Sequence, residues 1–431
     1  MTALRPEVSR AMNNFRRVPP GSGTAEPLSN PLDALLADIA INVQLPPGLH
    51  AKAVSRDGAV KEYLGRPGSP LEGRIVQFYA QGSMAIDATI STRGTDDEYD
   101  LDAVVELDLP RGATSSQVLD ALYLTLKDYP VREVVRQTRC VTLVYADGMH
   151  IDVTPSKRTG IKEFESSIFH AKREDAPHLH AEIPMNAYGF ARWYSLRTPA
   201  EERFAKAYDA RMHETYDLLA KADPIVHDVP EQTPLPVKSV TTVALQLIKR
   251  FRNIWSVGRP GRYPPSVMLS CHAGHAAVPG MALSDMVIRQ ARWTARAIDA
   301  AEAAGRLVDV RNPEMPDDRF TDRWPENRSQ QKAFALALHD LADGLEGIRT
   351  GGLELEDLRD WLRDRFGPLV VSRSLRAFNE RNGRALRAGV HGYTRTGGLL
   401  VPAAPAIIGS SSAMASAVVP RPHTNMGERR P

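Results

Sequence analysis

Cysteine is nearly missing from this chain: Cys140 and Cys271 are the two in 431 residues. They make no disulfide framework, and a reducing, cytosolic setting is expected. Long apolar runs are missing as well. None approaches the roughly 18 residues that a membrane-spanning helix requires. Arg5, Arg10, Arg16 and Arg17 near the N-terminus are followed by no apolar stretch, so they do not open a secretory signal. Neither sign of charge is in excess: 54 Lys and Arg stand against 52 Asp and Glu, a formal net charge of +2. That excludes a global pull toward nucleic acid or an acidic membrane, and any basic groove must come from local clustering. No internal repeat is present. What remains is ample for a core, with 42% hydrophobic and 25% charged residues. The length suits one large bilobal unit or two closely packed domains.

One stretch organises the rest. Residues 75–80 (IVQFYA) form an apolar run that reads as a strand, and Gln81-Gly82-Ser83 follows at once. A Gly-Ser turn offers backbone N–H groups and a hydroxyl, which suit a phosphate. Ser83 is also placed to cap a short helix over 84–90 that would turn its N-terminus to that phosphate. Asp100 and Asp102 stand one residue apart where a second apolar run begins. On a strand, i and i+2 point to the same side, so both carboxylates face one way, about 6–7 Å apart. Like charges that close repel unless a cation sits between them or burial moves a proton onto one. Magnesium, which prefers hard oxygen ligands, is the natural candidate.

A third carboxylate completes the pattern. Residues 139–145 read as a strand, Asp147-Gly148 as a hairpin turn, and 149–154 as the returning strand. His150, Asp152 and Thr154 share one face of it. Asp152 is the acid that such a hairpin, laid beside the first pair, would bring to the metal. Carboxylate clusters of this kind serve two-metal phosphoryl transfer.

The order Gly-Ser, Asp-x-Asp, then a lone Asp on a later strand resembles the DNA polymerase beta-like nucleotidyltransferase superfamily. Gln81-Gly82-Ser83 followed by EYDLD at 98–102 is more closely similar to the bacterial cGAS/DncV-like nucleotidyltransferases, which synthesise cyclic oligonucleotide second messengers in anti-phage defence. Residues 240–255 resemble that family's helix with a Leu-Lys-Arg element. Pro264-Pro265-Ser266-Val267 resembles the Pro-Ser start of its next helix, and 312–324 its Asn-Pro…Phe…Trp stretch. The resemblance spans roughly residues 30–395. It implies an α+β fold: a polymerase beta-like mixed sheet core flanked by helices, with a C-terminal helical domain. It implies two Mg²⁺ ions, with Mn²⁺ as an alternative, held by the catalytic acids Asp100, Asp102 and Asp152. Nucleotide would be bound by Gln81, Gly82, Ser83, Lys249 and Ser266. The expected substrates are nucleoside triphosphates, ATP among them, and the product a cyclic di- or trinucleotide, with pyrophosphate released. Neither long nucleic acid nor membrane is an expected partner, and a regulatory protein encoded nearby fits the same family.

Along the chain, residues 1–28 read as a mobile N-terminus, 29–222 as the nucleotidyltransferase core, 223–400 as a helical domain completing the cleft, and 401–431 as a disordered tail. Residues 31–43 have helical spacing, with Asn30 as N-cap and Pro31 in the first turn. A second helix is expected over 51–64, another over 115–129, and a short strand over 131–135. Residues 92–98 read as a polar loop and 155–183 as a long irregular excursion beside the site. Residues 186–222 are helical in pattern, and 224–236 a Pro-rich connector. Helices then follow at 237–255, 266–275, 283–304, 329–344 and 353–366, before a Gly- and basic-rich stretch at 387–400.

Other residues read more plainly. Cys271, His272 and His275 supply three potential ligands where structural zinc takes four, and are expected in the core. His170, His178 and His180 fall in the polar excursion. Asp96, Asp97, Glu98 and Tyr99 extend the acidic run without matching the motif. Arg250 accompanies Lys249, and Ser266 would also serve as a helix N-cap. Two other functions use the same features: a template-independent transferase that extends RNA or modifies another acceptor, and an inactive binding protein. The presence of all three acids opposes the second. The low net charge opposes the first.

Overall fold

A computed structural model of the chain describes residues 27–91, 99–159, 164–222, 237–350, 355–387, 391–392 and 401–402. The expectations for residues 1–26, the loop at 92–98, the connector at 224–236 and the tail from 403 lie outside those residues.

The chain enters with helix α1 (Pro31–Val43), and Asn30 Oδ1 accepts the Leu32 N–H at 2.8 Å as its cap. Helix α2 (Pro47–Leu64) follows, then strand β1 (Ile75–Gln81) and β2 (Tyr99–Leu107). Helix α3 (Ser115–Leu126) opens on a capping box formed by Thr114 and Gln117. Strands β3 (Glu133–Arg136), β4 (Val141–Val144), β5 (Met149–Arg158), β6 (Ser166–His170) and β7 (Ala181–Met185) complete the sheet. The order is β1-β2-β5-β4-β3, with β6 beside β5 and β7 beside β6. The β2–β5 pair is parallel and every other neighbour in this sheet is antiparallel.

Period-2 alternation fixes which face does what. Tyr99, Leu101, Ala103, Val105 and Leu107 of β2 point into a core shared with Val118, Leu119 and Leu122 of α3 and with Val60 and Leu64 of α2. Asp100 and Asp102 therefore point the other way. The rest of the chain is mainly helical: α4 (Ala187–Arg197), which packs against β1, then α5 (Glu202–Ala222), α6 (Val240–Ser256), α7 (Ser266–Ala276), α8 (Leu283–Ala303), α9 (Arg328–Arg349), α10 (Leu355–Phe366) and α11 (Pro368–Arg387). A small hairpin, β8 (Arg311–Asn312) and β9 (Met315–Arg319), lies between α8 and α9. The second core is built by these helices and by α1, whose Leu35, Leu36, Ile39 and Val43 pack with Val243 and Leu247 of α6. Fully buried Asp38 ties the ends of the chain together: Arg211 of α5 holds it at 2.6 and 2.8 Å, and Arg381 of α11 at 2.6 Å.

Several expectations are corrected. Residues 155–183 are not an irregular excursion: β5 runs on to Arg158, and β6 and β7 extend the sheet. Each of β6 and β7 is five residues long, with paired serines opening β6 and a proline inside β7, so neither reads as a strand from its sequence. The helical pattern over 186–222 is two helices, parted around Thr198-Pro199. Residues 84–90 form no helix; a single 3-10 turn covers Met84–Ile86, Ser83 makes no side-chain cap, and Asp87 ends the turn in a left-handed conformation at φ 55°. Ser266 is not the N-cap of α7, which is Pro265. Helix α11 and the β8–β9 hairpin were not foreseen.

Candidate active site

Strand register assembles the acids. Asp102 of β2 lies directly beside Asp152 of β5, and Asp100 beside His150. Neighbouring strands stand about 4.8 Å apart, so the three carboxylates share one small patch of the sheet. Burial, then the charges of Asp152 and Asp100, push the Asp102 carboxyl up to about 7. Burial also raises Asp152, against the Thr142 hydroxyl, which donates to its Oδ1 at 2.5 Å. Asp100 Oδ1 lies 3.2 Å from His150 Nδ1.

Gln81 is paired with Asp102 across the β1–β2 ladder, so the Gly-Ser turn hangs directly over that acid. Gly82 sits at φ 60°, and a Cβ there would fall 2.3 Å from Asp102 Oδ2. Only glycine allows both the backbone conformation and this approach. Gln81 donates from Nε2 to Thr154 Oγ1 at 3.2 Å, bridging β1 to β5.

The cations come from α6. Lys249 donates to the Ala88 carbonyl at 2.6 Å, and burial, then Arg252, push its amine down to about 7, opposed by Asp102. Arg252, one turn on, donates to the Pro264 carbonyl at 2.8 Å and to Ser266 Oγ at 2.7 Å. Burial lowers it to about 10. Arg250 points elsewhere: it donates from Nε to the Phe366 carbonyl at 2.8 Å and from Nη1 to Ser91 Oγ at 3.2 Å, fixing the helical core.

All eight residues singled out in the sequence, Gln81, Gly82, Ser83, Asp100, Asp102, Asp152, Lys249 and Ser266, line one cavity of about 530 Å³ between the sheet and the helices. Its size suits a nucleotide-scale ligand. Asn253, Tyr263, Arg139, Asp318 and Asp322 line it too and were not foreseen. Arg252 could have been found, because i and i+3 share a helix face and Lys249 was already in view. A smaller cavity of about 300 Å³ lies beyond the Met84–Ile86 turn. It has no paired carboxylates on adjacent strands, so the chemistry belongs to the larger one. Cys271 and His272 are buried in the core as expected, and His170 lies on β6.

The acids suit a hard divalent cation. Asp102, pushed up by burial and then by two neighbouring carboxylates, would be stabilised in its ionised form by a cation that neutralises them. Among the described residues no three His, Cys, Asp or Glu side chains are already closed around one point.

Comparison with known proteins bears on this geometry. Residues 29–167 match the model of the Second Messenger Oligonucleotide or Dinucleotide Synthetase domain. The chain is 59% identical over 420 residues to the cyclic dinucleotide synthase CdnG of Bradyrhizobium diazoefficiens, covering 97% of this chain and all of that one. The structure of that CdnG in complex with GTP superimposes with a TM-score of 0.74, covering 82% of this chain and 100% of the other. An Escherichia coli CdnC, solved with a HORMA protein, shares the fold at 14% identity and a TM-score of 0.51 over 78% of this chain and 96% of that one.

Proposed function

The chain belongs to the bacterial cGAS/DncV-like nucleotidyltransferases and makes a cyclic oligonucleotide second messenger, and we propose that it does so in the cavity floored by Asp100, Asp102 and Asp152. The observation that carries this is the register of β2 on β5, which sets Asp102 against Asp152 beneath the Gly82-Ser83 turn.

On this reading the three acids hold Mg²⁺, with Mn²⁺ as an alternative. When bound, the metal supplies the positive charge that acidifies the acceptor hydroxyl and stabilises the leaving pyrophosphate. The chain's own residues do the rest. Gly82 and Ser83 present backbone N–H groups and a hydroxyl to the donor triphosphate. Lys249 and Arg252 neutralise it from the opposite wall. Arg252 also fixes Ser266 Oγ at 2.7 Å, so that hydroxyl is oriented toward the same phosphates. Asp152 has its carboxyl raised by burial and its Oδ1 taken by Thr142. Burial favours its protonated form, so it is suited to receive the acceptor's proton. The acceptor oxygen then bonds to the α-phosphorus as the bond to pyrophosphate breaks. A second round, with the product's free hydroxyl as acceptor, closes the ring. Positioning and charge neutralisation carry the rate.

GTP is the favoured substrate, on the likeness to the relative solved with it, and ATP, expected from the sequence, is the alternative. A role in anti-phage signalling and a cytoplasmic setting belong to the same reading and rest on family membership. Incubating the protein and Mg²⁺ with each labelled nucleoside triphosphate, alone and in pairs, tests the function. Products that resist phosphatase support it. Ladders that grow from an added RNA primer and lose label to phosphatase would replace it with a strand-extending transferase.

A further inference from the structure

The three acids are not held alike. Asp100 is half-exposed and has His150 Nδ1 at 3.2 Å. Asp102 receives no side-chain hydrogen bond among the described residues, and burial and the charges beside it push its carboxyl up. Asp152 differs from both. Thr142 of β4 is its direct partner across the β4–β5 ladder, and the Thr142 hydroxyl donates to Asp152 Oδ1 at 2.5 Å.

Directly paired residues bring their side chains together on one face of the sheet, so strand register delivers this donor and no loop is needed. A hydroxyl that close to a carboxylate makes the short, charge-assisted kind of hydrogen bond. Threonine suits the place twice over. Its β-branch restricts χ1 and so holds the hydroxyl in one direction, and branched residues are favoured in strands. Cys140, two residues earlier, puts a half-buried thiol beside the same carboxylate. A thiol is a weak donor, so the hydroxyl is the stronger restraint.

The restraint has a force to oppose. Register sets Asp102 against Asp152 on the other side, and the two charges repel. A carboxylate free to rotate would turn its charge away from Asp102 whenever no cation lies between them. The Thr142 hydrogen bond resists that rotation, as partners behind a ligand commonly do. Thr142 itself does not line the cavity, so it acts through Asp152.

We infer that Thr142 is a positioning residue for the joining reaction: it presets Asp152 for the cation, and Asp100 and Asp102 are the acids that adjust when the cation arrives. This rests on the synthase reading above.

Two variants of the whole chain separate orientation from stability. Thr142→Val keeps the branched shape and removes the hydroxyl. Thr142→Ser keeps the hydroxyl and removes the branch. Each protein, saturated with α,β-methylene-GTP, whose bridging carbon prevents loss of pyrophosphate, is titrated with Mn²⁺, and uptake is read from loss of the free-ion signal in electron paramagnetic resonance. Thr142→Val should bind Mn²⁺ about tenfold or more weakly, and at saturating Mg²⁺ its kcat should fall about 10- to 100-fold while the KM for GTP stays within about twofold. Thr142→Ser should recover most of both losses. A merely structural hydrogen bond would lower the melting temperature of Thr142→Val and leave Mn²⁺ affinity and kcat at wild-type values. That result would overturn the assignment, as would a loss that Thr142→Ser does not recover. A wild type that takes up no Mn²⁺ beyond what the analogue binds alone, or that joins no nucleotides, defeats the synthase reading itself.

Discussion

Replacing Asp102 by Asn should stabilise the metal-free protein while abolishing its activity. Asp102 rises from 3.8 to about 7, and at roughly 1.36 kcal/mol per pKa unit that is on the order of 4 kcal/mol against the ionised, folded form. The sign follows from linkage. Below the ordinary carboxylate pKa the side chain is protonated in both states and carries no penalty. As pH rises from about 4 through about 7 the unfolded chain releases its proton first, so the folded state loses stability, and above that range the loss is constant. Asn keeps the shape without the charge. Over 431 residues, roughly 2.1 cal/mol/K per residue gives an unfolding entropy near 0.9 kcal/mol/K, so the gain should be about 4–5 °C if the chain melts as one unit. The assay is a thermal melt of both proteins in chelator at pH 4.5, 6 and 8. The Asn variant should gain little at the lowest pH and its full advantage at the highest. Adding Mg²⁺ should raise wild type and leave the variant where it was. A wild type that melts at or above the variant at pH 8 without metal would refute the reasoning, as would equal stabilisation of both by Mg²⁺.

The other expectations are more local. Gly82→Ala forces a left-handed alanine, at about 1–2 kcal/mol, and drives a methyl to 2.3 Å from Asp102 Oδ2; initial rates of pyrophosphate release should fall about 10²-fold or more, as for misplaced catalytic groups generally, while the melt shifts little. Lys249→Met should raise the KM for nucleoside triphosphate about tenfold or more through loss of a charge-assisted contact, read from steady-state rates against nucleotide concentration. Asp38→Ala leaves Arg211 without its carboxylate, while Arg381 keeps Glu214 at 2.7 Å, and should cost about 3 kcal/mol in urea unfolding, with KM unchanged well below the melting temperature.

The sequence made local features legible and left tertiary ones hidden. Asn30 and Pro31 announce α1 because capping and φ restriction act within one turn. Asp147-Gly148 announces the β4–β5 hairpin, and Gly148 takes φ 81° there. The three acids could be grouped because strand periodicity fixes the facing of Asp100 and Asp102, and a hairpin was at hand to deliver Asp152. Strands β6 and β7 are hidden because each is only five residues long, and Ser166-Ser167 in one and Pro184 in the other are not strand signals. Ser266 was misread as a cap, although its hydroxyl accepts from Arg252 and not from its own helix. Arg139 and Asp322 line the cavity from segments 183 residues apart in the chain, so no spacing rule joins them. The three-residue turn after Ser83 looked like a helix because its composition is helical, and the left-handed Asp87 stops it.

The central claim is that this cleft closes a ring from nucleoside triphosphates. Counting pyrophosphate against nucleotide consumed, with the intact mass of the product, tests it most directly. Ring closure releases one pyrophosphate for every nucleotide incorporated and leaves a product whose mass carries no terminal phosphate; wild type should give both, and Asp152→Asn neither. One pyrophosphate for every two nucleotides, with a dinucleotide that still bears its triphosphate, would show that joining stops at the linear product and would contradict the account.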